Sequence, residues 1–308
     1  PEAGAGETAL EGRALHLRAA GELKTKPTQH SVKELQSVGI QPDILVLRTE
    51  KHLDDDIRKK VAAFCNVDMD CVVQSEDLPS IYDVPINMQK QGLDAAILRK
   101  CGEEVGPTPG LGPWKEFLDR QRKAKKEVHI GLVGKYDLQD AYKSIREGLL
   151  QAGVYNDHKT VITFISSEEI TEDNVAEKLK GQDGIVICPG FGQRGIEGKI
   201  VAAHYTRTHD IPTFGICLGM QMMVIEFARN VLGYKDANSR EIDGKTPHNV
   251  IDILEEQKNI TNMGGTMRLG AYECVLRQGS KTFDIYKQEH IQERHRHRYD
   301  FNNDYEKE

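Results

Sequence analysis

The sequence predicts an α/β fold in two parts, of which the second is built on a mostly parallel sheet with helices on both faces. Short apolar runs alternate with helix-like stretches in both halves of the chain, an order that is typical of α/β layers. A segment rich in proline and glycine separates the two halves. The length of 308 residues suits two domains, since one domain usually takes about 100 to 200 residues.

The first half predicts a polar loop followed by helices and a strand. The loop covers residues 24–29, a helix-like stretch continues to residue 38, and the apolar run 44–47 predicts a strand. Residues 51–64 carry apolar side chains at helical spacing, which predicts an amphipathic helix. Residues 1–20 carry only a weak helical pattern without a cap, so we treat them as a separate, unmatched N-terminal segment.

A linker is predicted over residues 102–127. Its first half contains three prolines, Pro107, Pro109 and Pro113, and a charged stretch follows that we interpret as a solvated helix. The predicted divisions of the chain are 1–20, 21–101, 102–127 and 128–308.

The second half alternates strands and helices throughout. Strands are predicted at 128–134, 161–165, 184–187 and 211–216, and helices at 140–151, 171–180, 196–208 and 218–232. Short buried strands joined by helices favour a parallel sheet that is covered on both faces. Ligands of such sheets gather at the carboxyl ends of the strands, so the loop 188–192 and Cys217 mark the expected site.

Composition excludes several classes of protein. With 38% hydrophobic residues, 29% charged residues and a net charge of -7, the chain lacks the positive charge expected of a nucleic-acid binder. No apolar run approaches the roughly 18 residues of a membrane span, and the chain does not open with the basic-then-apolar pattern of a secretory signal. We therefore expect a cytoplasmic protein without nucleic-acid or membrane partners.

The cysteines are scattered along the chain without paired spacing. They are Cys65, Cys71, Cys101, Cys188, Cys217 and Cys274. This spacing predicts neither a disulfide framework nor a structural zinc site. We expect free thiols, no metal ligands in this chain and no bound prosthetic group.

One cysteine lies at a predicted junction between a strand and a helix. Gly215 and Gly219 flank Cys217 at the spacing of a nucleophile elbow, where the chain turns too tightly for larger side chains. At a helix N-terminus we expect the pKa of this thiol to be lowered, because the helix dipole and unpaired N–H groups favour the thiolate. The alternative is a small core cysteine with incidental glycines.

A thiolate that attacks a carbonyl needs N–H groups to bind the oxyanion. We expect these from Gly190, which follows a predicted strand, and from Leu218, which follows the nucleophile; an ordinary turn is the alternative for the Gly190 loop. A base is also needed, but none of the later histidines has a strand-end setting with an acidic partner. They are His248, His290, His295 and His297. Residues 294–298 predict a charged strand or an anion-binding segment, or else a solvated basic edge.

These residues together resemble the CTP synthase family, the glutamine-dependent amidoligases that convert UTP to CTP. The resemblance extends from Gly21 nearly to the C-terminus. It rests on six ordered segments, 21–32, 39–44, 215–221, 236–239, 264–270 and 293–299. The run Lys-Thr-Lys-Pro-Thr-Gln at 24–29 separates this family from other class I glutamine amidotransferases.

The resemblance implies a fold and a reaction for each half. The first half would be the C-terminal part of a P-loop-like amidoligase domain, which uses ATP and Mg²⁺ to phosphorylate UTP before ammonia displaces the phosphate. The second half would be a flavodoxin-like class I glutaminase domain, which frees that ammonia from glutamine. The complete enzyme would form a homotetramer and bind GTP as an allosteric effector.

The resemblance also implies site residues, of which Cys217 would form the glutamyl thioester. Glutamine would be bound by Gly190, Leu218, Gly219, Met220, Gln221, Glu241 and Arg298. Glu241 can pair with an ammonium group and Arg298 with a carboxylate. UTP or CTP would be bound by Lys24, Thr25, Lys26, Pro27, Thr28, Gln29 and Lys60. The ATP base would approach Glu76, Asp77 and Leu78.

The chain also departs from the family pattern. The family's N-terminal half, with its glycine-rich phosphate loop and magnesium-binding acids, has no counterpart here, and the family's catalytic His-Pro-Glu segment lies beyond Glu308. We therefore expect a fragment with very low activity by itself. Two alternatives are a stand-alone cysteine hydrolase, with a base recruited from His290, His295 or His297, and a non-catalytic nucleotide-binding or assembly module.

Overall fold

The structure is a computed structural model, and it describes residues 9–13, 15–17, 22–136, 140–254 and 268–308. The chain divides into two compact units, Pro1–Arg122 and Lys123–Glu308. Their boundary falls inside the segment predicted as a linker. Parts of the N-terminal segment, Gly21, and residues 264–267 of the glycine-rich motif lie outside the described residues.

The first unit contains a small parallel sheet with helices packed beside it. Its strands are β1 (Ala9–Arg13), β2 (Leu15–Leu17), β3 (Glu22–Lys24), β4 (Ile44–Thr49) and β5 (Val72–Glu76). Its helices are α1 (Lys26–Ser37), α2 (Asp55–Cys65), α3 (Val84–Lys90), α4 (Leu93–Lys100) and α5 (Gly112–Lys123). The order β1-β4-β5 is parallel throughout, and β2 and β3 form an antiparallel pair.

The core of this unit follows the sequence pattern. Leu45 and Leu47 of β4 point to one face of the sheet, where they pack with Val32 of α1 and Val61 of α2. All four side chains are almost completely buried. The predicted strand 44–47 and amphipathic helix 51–64 are confirmed, whereas the weak helical pattern in residues 1–20 was wrong, because the described part forms strands.

Helix α5 is less solvated than its charge pattern predicted. Trp114 stacks on Phe117, and both rings contact Tyr82 edge-on. The indole N–H of Trp114 donates to the carbonyl oxygen of Tyr82 at 2.8 Å, and Leu118 is buried. Three apolar residues at helical spacing were therefore enough to anchor an otherwise charged helix to the first unit.

The second unit has more elements. Its strands are β6 (Lys126–Gly134), β7 (His158–Ser166), β8 (Gly184–Ile187), β9 (Thr213–Gly215), β10 (Asn238–Ser239), β11 (Asn249–Ile253), β12 (Arg268–Val275), β13 (His290–His297) and β14 (Tyr299–Phe301). Its helices are α6 (Lys143–Tyr155), α7 (Val175–Lys178), α8 (Ile196–Thr208), α9 (Leu218–Asn230) and α10 (Lys281–Tyr286).

A four-stranded parallel sheet organises this unit, in the order β7-β6-β8-β9. Val133 and Ile187 pack on one face with Ala202 and Ala203 of α8. Leu132 and Val186, each one position earlier, pack on the opposite face near α6. This alternation confirms the predicted parallel sheet with helices on both faces. Helix α7 is shorter than the predicted helix 171–180.

Two smaller sheets lie outside the parallel one. Strands β12 and β13 form an antiparallel pair, which confirms a charged strand for most of residues 294–298. Strand β14 pairs with β11, and β11 pairs with β10. Residues on either side of the β13–β14 junction are thereby brought towards α9, which contacts both β11 and β14. Within the described part of the chain, none of the helices has the length and apolar character needed to span a membrane.

Candidate active site

Cys217 lies where the chain turns sharply from β9 into α9. Its backbone has φ 54° and ψ -113°, and a positive φ is uncommon and strained for a residue other than glycine. The turn continues directly into the helix, since the N–H of Gln221 donates to the carbonyl oxygen of Cys217 at 3.1 Å. This geometry confirms the predicted elbow and presents the thiol at the end of the sheet.

The two glycines beside the elbow are required by close contacts. A β-carbon on Gly219 would lie 1.9 Å from the carbonyl oxygen of Ile187 in the neighbouring strand β8. One on Gly215 would lie 2.6 Å from the backbone nitrogen of Met220. Any side chain at either position would therefore push α9 away from the sheet.

The thiol opens on a cavity of about 300 Å³. Its walls come from the loop after β8, the start of α9, the loop after β10 and the β13–β14 junction. They are formed by Gly190, Phe191, Cys217, Gln221, Glu241, Arg296, His297, Arg298 and Tyr299. The structure thus brings together Cys217, the predicted nucleophile, and four of the residues that the resemblance assigned to glutamine binding: Gly190, Gln221, Glu241 and Arg298.

Opposite charges face this one cavity. Glu241 and Arg298 are both half-buried in its wall. Gln221 is buried, and its side-chain amide donates to the carbonyl oxygen of Tyr299 at 3.0 Å, which ties α9 to β14. A carboxylate and a guanidinium in the same wall suit a ligand that carries both an ammonium and a carboxylate group.

The predicted low pKa of Cys217 was wrong. Burial of the thiol raises its pKa above the ordinary value of 9.0, and the negative charges of Glu241 and Asp300 act in the same direction. A hydrogen bond from the N–H of Leu218 and the positive charge of Lys199 lower the pKa, but they do not overcome burial. The helix-dipole argument omitted this desolvation cost. Cys217 is therefore a neutral thiol at rest, and it would have to lose its proton before its sulfur could attack a carbonyl group.

Two buried lysines hold the loop after β8, and the sequence reasoning missed both. The ammonium of Lys135 donates to the carbonyl oxygens of Phe191 and, at 3.0 Å, of Gly192. The ammonium of Lys199 donates to the carbonyl oxygen of Cys188 at 2.5 Å. The available signal was the position of Lys199 on α8, three residues after Ile196, which places it on the apolar face of that helix.

Other residues assigned to glutamine lie beside the cavity wall or away from it. Leu218 is buried, and its backbone N–H donates a hydrogen bond to the sulfur of Cys217. Gly219 packs against β8. Met220 lines a different cavity of about 540 Å³, which is mainly apolar and includes Phe214 and Phe227. The side chain of Met220 therefore points away from the cavity at Cys217.

The histidines considered as bases lie in different places. His297 lines the cavity at Cys217. His290 is exposed and contacts Glu273 across the β12–β13 pair at 2.9 Å. His295 contacts the ring of Tyr272 edge-on. Of the three histidines proposed for a stand-alone hydrolase, His297 is the one that the structure brings to the cavity.

The residues assigned to UTP or CTP lie mostly in one turn of the first unit. Lys24 ends β3, and residues 25–29 form the start of α1 with a proline in its first turn. Thr25 and Thr28 are buried, and the amide of Gln29 contacts the hydroxyl of Thr25 at 3.2 Å. Lys26 is exposed there, and Lys60 is exposed on α2, which packs beside α1.

The residues assigned to the ATP base follow β5. The carboxylate of Glu76 contacts His52 and accepts from Gln74, both at 2.6 Å. The carboxylate of Asp77 lies 3.9 Å from the guanidinium of Arg48, and Leu78 is half-buried. Both acids are therefore already engaged by neighbouring side chains.

Two family profiles match the chain, one in each unit. The profile of the CTP synthase N-terminus matches residues 13–102, so it begins within the segment predicted as unmatched. The profile of class I glutamine amidotransferases matches residues 137–308, which is more than half of the chain.

Curated relatives support both matches. A CTP synthase of Bacteroides thetaiotaomicron is 72% identical over 292 residues, covering 94% of this chain and 54% of that protein. A CTP synthase of Porphyromonas gingivalis is 61% identical, again over 94% of this chain and 54% of that protein. The chain thus spans about half the length of the curated relatives it matches.

A solved structure supports the fold of the second unit. The glutaminase domain of Trypanosoma brucei CTPS with bound acivicin is 40% identical and aligns with a TM-score of 0.53. The alignment covers 58% of this chain and 69% of that chain. The chain therefore belongs to the class I glutamine amidotransferase family, and both of its units match the CTP synthases.

Proposed function

We propose that the chain carries the glutaminase site of a CTP synthase, which aminates UTP to CTP with ammonia from glutamine. The observation that carries the proposal is the cavity at Cys217, with Glu241 and Arg298 in the same wall. Glutamine fits this charge pattern, because its ammonium group suits Glu241 and its carboxylate suits Arg298. Its side-chain amide would then extend towards the sulfur.

The proposed reaction is acyl transfer to Cys217. A base takes the proton of the Cys217 thiol and the sulfur attacks the amide carbon, which gives a tetrahedral oxyanion. The N–H groups of Leu218 and Gly190 stabilise that oxyanion as the resemblance implies. The base then passes this proton to the amide nitrogen, the C–N bond breaks and ammonia leaves, and water later hydrolyses the glutamyl thioester to glutamate and the free thiol. Because the pKa of Cys217 is raised by burial, the step depends on a base.

We propose that the first unit contributes to the amidoligase site, which the resemblance describes as P-loop-like. UTP or CTP would lie near residues 24–29, where Lys24, Lys26 and the N-terminus of α1 favour phosphate groups. Support comes from the match to the CTP synthase N-terminus over residues 13–102. ATP would supply the phosphoryl group, with its base near residues 76–78.

Magnesium would accompany ATP in the complete enzyme. The acids at the predicted ATP position do not fit a magnesium site, because Glu76 contacts His52 and Gln74 and Asp77 lies beside Arg48. No step is therefore assigned to a metal held by these residues. A flavodoxin-like second unit, a homotetramer, GTP as effector and a cytoplasmic location complete the proposal. The strand order β7-β6-β8-β9 supports the flavodoxin-like fold.

Labelling of Cys217 by acivicin tests the ligand assignment. Acivicin is the compound bound to the T. brucei glutaminase domain, and covalent addition would be followed by mass spectrometry of the Cys217 peptide. Arg298→Ala should slow labelling at least tenfold, since a charge-assisted hydrogen bond contributes about 1.5–3 kcal/mol. Arg294→Ala is the matched control, because Arg294 is exposed on β13, the strand that leads into the junction carrying Arg298. Equal labelling of both variants would contradict the assignment.

A stand-alone cysteine hydrolase is the second candidate, and the position of His297 in the cavity wall favours it. This candidate predicts glutamate release by the purified chain that depends on both Cys217 and His297. His290→Ala is the control, because His290 is exposed and contacts Glu273 instead. If release is very slow and His297→Ala changes it no more than His290→Ala does, the candidate is rejected.

A further inference from the structure

Lys199 is a completely buried lysine in the second unit. Its relative exposure is 0%, and its ammonium donates to the carbonyl oxygen of Cys188 at 2.5 Å. Over the described part of the chain, no carboxylate lies within ion-pair distance of this ammonium. Burial lowers the pKa of Lys199 to about 8, so the group still carries most of its charge at pH 7.

A buried lysine lowers the stability of the fold if it does nothing more than fill space. An isolated buried ammonium loses its hydration, and a methionine of similar length would fill the same volume without that cost. The neighbours of Lys199 on α8, Ile196 and Ile200, are apolar and buried as a helix core requires. The position of the charge therefore calls for a role in the site.

The ammonium of Lys199 lies at the end of β8, which is adjacent in the sheet to β9, the strand that leads to Cys217. Strands β8 and β9 are adjacent, and the N–H of Ile216 donates to the carbonyl oxygen of Ile187 at 3.0 Å. Cys188 and Cys217 are the next residues on the two strands. The carbonyl held by Lys199 is thus the last one before Pro189 and Gly190, while Lys135 holds the carbonyls that follow Gly190.

The positive charge of Lys199 also opposes the two negative charges that act on the Cys217 thiol. Glu241 and Asp300 both disfavour the thiolate of Cys217, and Lys199 favours it. Arg296, His297 and Arg298 line the same cavity from the β13–β14 junction, and the ammonium of Lys135 is bound to the carbonyl oxygens of Phe191 and Gly192. Lys199 of α8 is thus a cation whose charge favours the thiolate, and its ammonium binds the carbonyl oxygen of the residue that follows β8.

We propose that Lys199 is a positioning residue of the glutaminase site, which fixes the loop carrying Gly190 and supplies positive charge to the Cys217 thiolate. The inference rests on the proposed role of Cys217 as nucleophile. Neutralising Lys199 should make the thiol less reactive without making the fold less stable.

Alkylation of Cys217 by iodoacetamide tests this without any turnover of glutamine. Rates would be measured by mass spectrometry from pH 7 to 10 for Lys199→Met, and for Lys199→Gln, which keeps a donor for Cys188. Lys180→Met removes the same charge at an exposed position. The exposed thiol of Cys101 in the first unit is an internal control.

At pH 7 we expect both Lys199 variants to react about three to ten times more slowly at Cys217, since one unit of pKa changes the thiolate fraction about tenfold. The difference should shrink above pH 8, where Lys199 of the unmodified protein loses its proton. Thermal denaturation midpoints should be equal or higher in Lys199→Met. Lys180→Met and the Cys101 rates should not change.

Equal alkylation rates of Cys217 in all variants would overturn the proposal. A slower rate at Cys217 would also overturn it if the rate at Cys101 fell equally, or if both Lys199 variants had a lower denaturation midpoint. If Lys199→Met does not fold, Lys199→Gln decides by the same criteria. These outcomes are separate from failure of the proposed function, which would appear as normal iodoacetamide chemistry with no acivicin labelling of Cys217.

Discussion

The cavity at Cys217 and the start of α1 are candidate ligand sites with different construction. At Cys217, neighbouring strand ends, a helix and a loop of one unit surround a cavity, and buried lysines hold the loop. At α1, Lys26 is exposed, and the threonines beside it are buried. Acyl transfer requires fixed geometry at one atom, whereas phosphate binding tolerates mobile cations on a surface.

This difference predicts that substitutions will have unequal effects in the two units. A substitution at the elbow should disturb the packing of the backbone, and a substitution at a buried lysine should change the charge inside the second unit. A substitution at an exposed lysine should only weaken the attraction of a phosphate group to the first unit. The largest expected effect is on the stability of the second unit.

Gly219→Ala should destabilise the second unit by about 3 kcal/mol or more, at the upper end of the range for overpacking. The reason is the added β-carbon, which would lie 1.9 Å from the carbonyl oxygen of Ile187. Gly148→Ala is the matched control, because Gly148 is on α6 with open space around it. That control should stabilise the helix by about 0.5–1 kcal/mol.

Urea denaturation followed by hydrogen exchange would locate both effects. Protection in β8 and β9 should fall in Gly219→Ala, while protection in β4 and β5 of the first unit should not change. Similar stability of the two alanine variants would show that the elbow is not held by close packing. The claim that the two candidate sites differ in construction would then fail.

Lys199→Met should stabilise the second unit at pH 7 by about 1–3 kcal/mol, because the charged form of a buried ammonium is costly to desolvate and buried ionic groups replaced by apolar side chains of similar volume often give gains of this size. The pKa of Lys199 is lowered from 10.5 to about 8 in the folded state. The unfolded state therefore binds more protons between these values, so the cost of burial is full below pH 8 and disappears as the pH rises towards 10.5.

The stability difference between Lys199→Met and the unmodified protein should accordingly shrink across pH 8 to 10.5. Denaturation curves at pH 7 and pH 10 measure it directly. A difference that is constant with pH would mean that the lysine does not carry a buried charge.

Lys26→Ala should have the smallest effect, a loss of less than about 1 kcal/mol in UTP affinity, because an exposed charge in water contributes little. The effect should decrease further with added salt. Lys33→Ala is the control, since Lys33 is exposed on the same helix beyond its first turn. Titration calorimetry with UTP would compare them, and equal affinities would remove Lys26 from the proposed nucleotide site.

Local sequence pattern predicted much of this architecture. The spacing of Gly215, Cys217 and Gly219 predicted the elbow, and the alternation of buried runs with helical stretches predicted the parallel class of the sheet, because both signals lie in the local sequence pattern. The many charged residues of α5 led to the prediction of a solvated helix, although its aromatic residues pack against the first unit. The pattern of residues 1–20 did not predict that part of them pairs with β4. Pairing between distant segments is a tertiary property that a local pattern does not specify.

The electrostatics of the site were the least predictable from sequence. Dipole reasoning at Cys217 gave the wrong sign for its pKa, because burial depends on every element that covers the thiol. The roles of Lys135 and Lys199 depend on carbonyl groups more than ten residues away in the chain. A lysine on an apolar helix face was the one sequence feature that pointed to either of them.

The most direct test is to trap the glutamyl thioester. The purified chain would be mixed with glutamine, quenched in acid and digested, and each cysteine peptide would be weighed by mass spectrometry. We predict a glutamyl adduct on Cys217 that forms slowly at pH 7, forms faster at higher pH where the thiolate is present without help from a base, and is absent in Cys217→Ala. An adduct on another cysteine, or none at saturating glutamine in a folded protein, would contradict the assignment of Cys217 as the nucleophile.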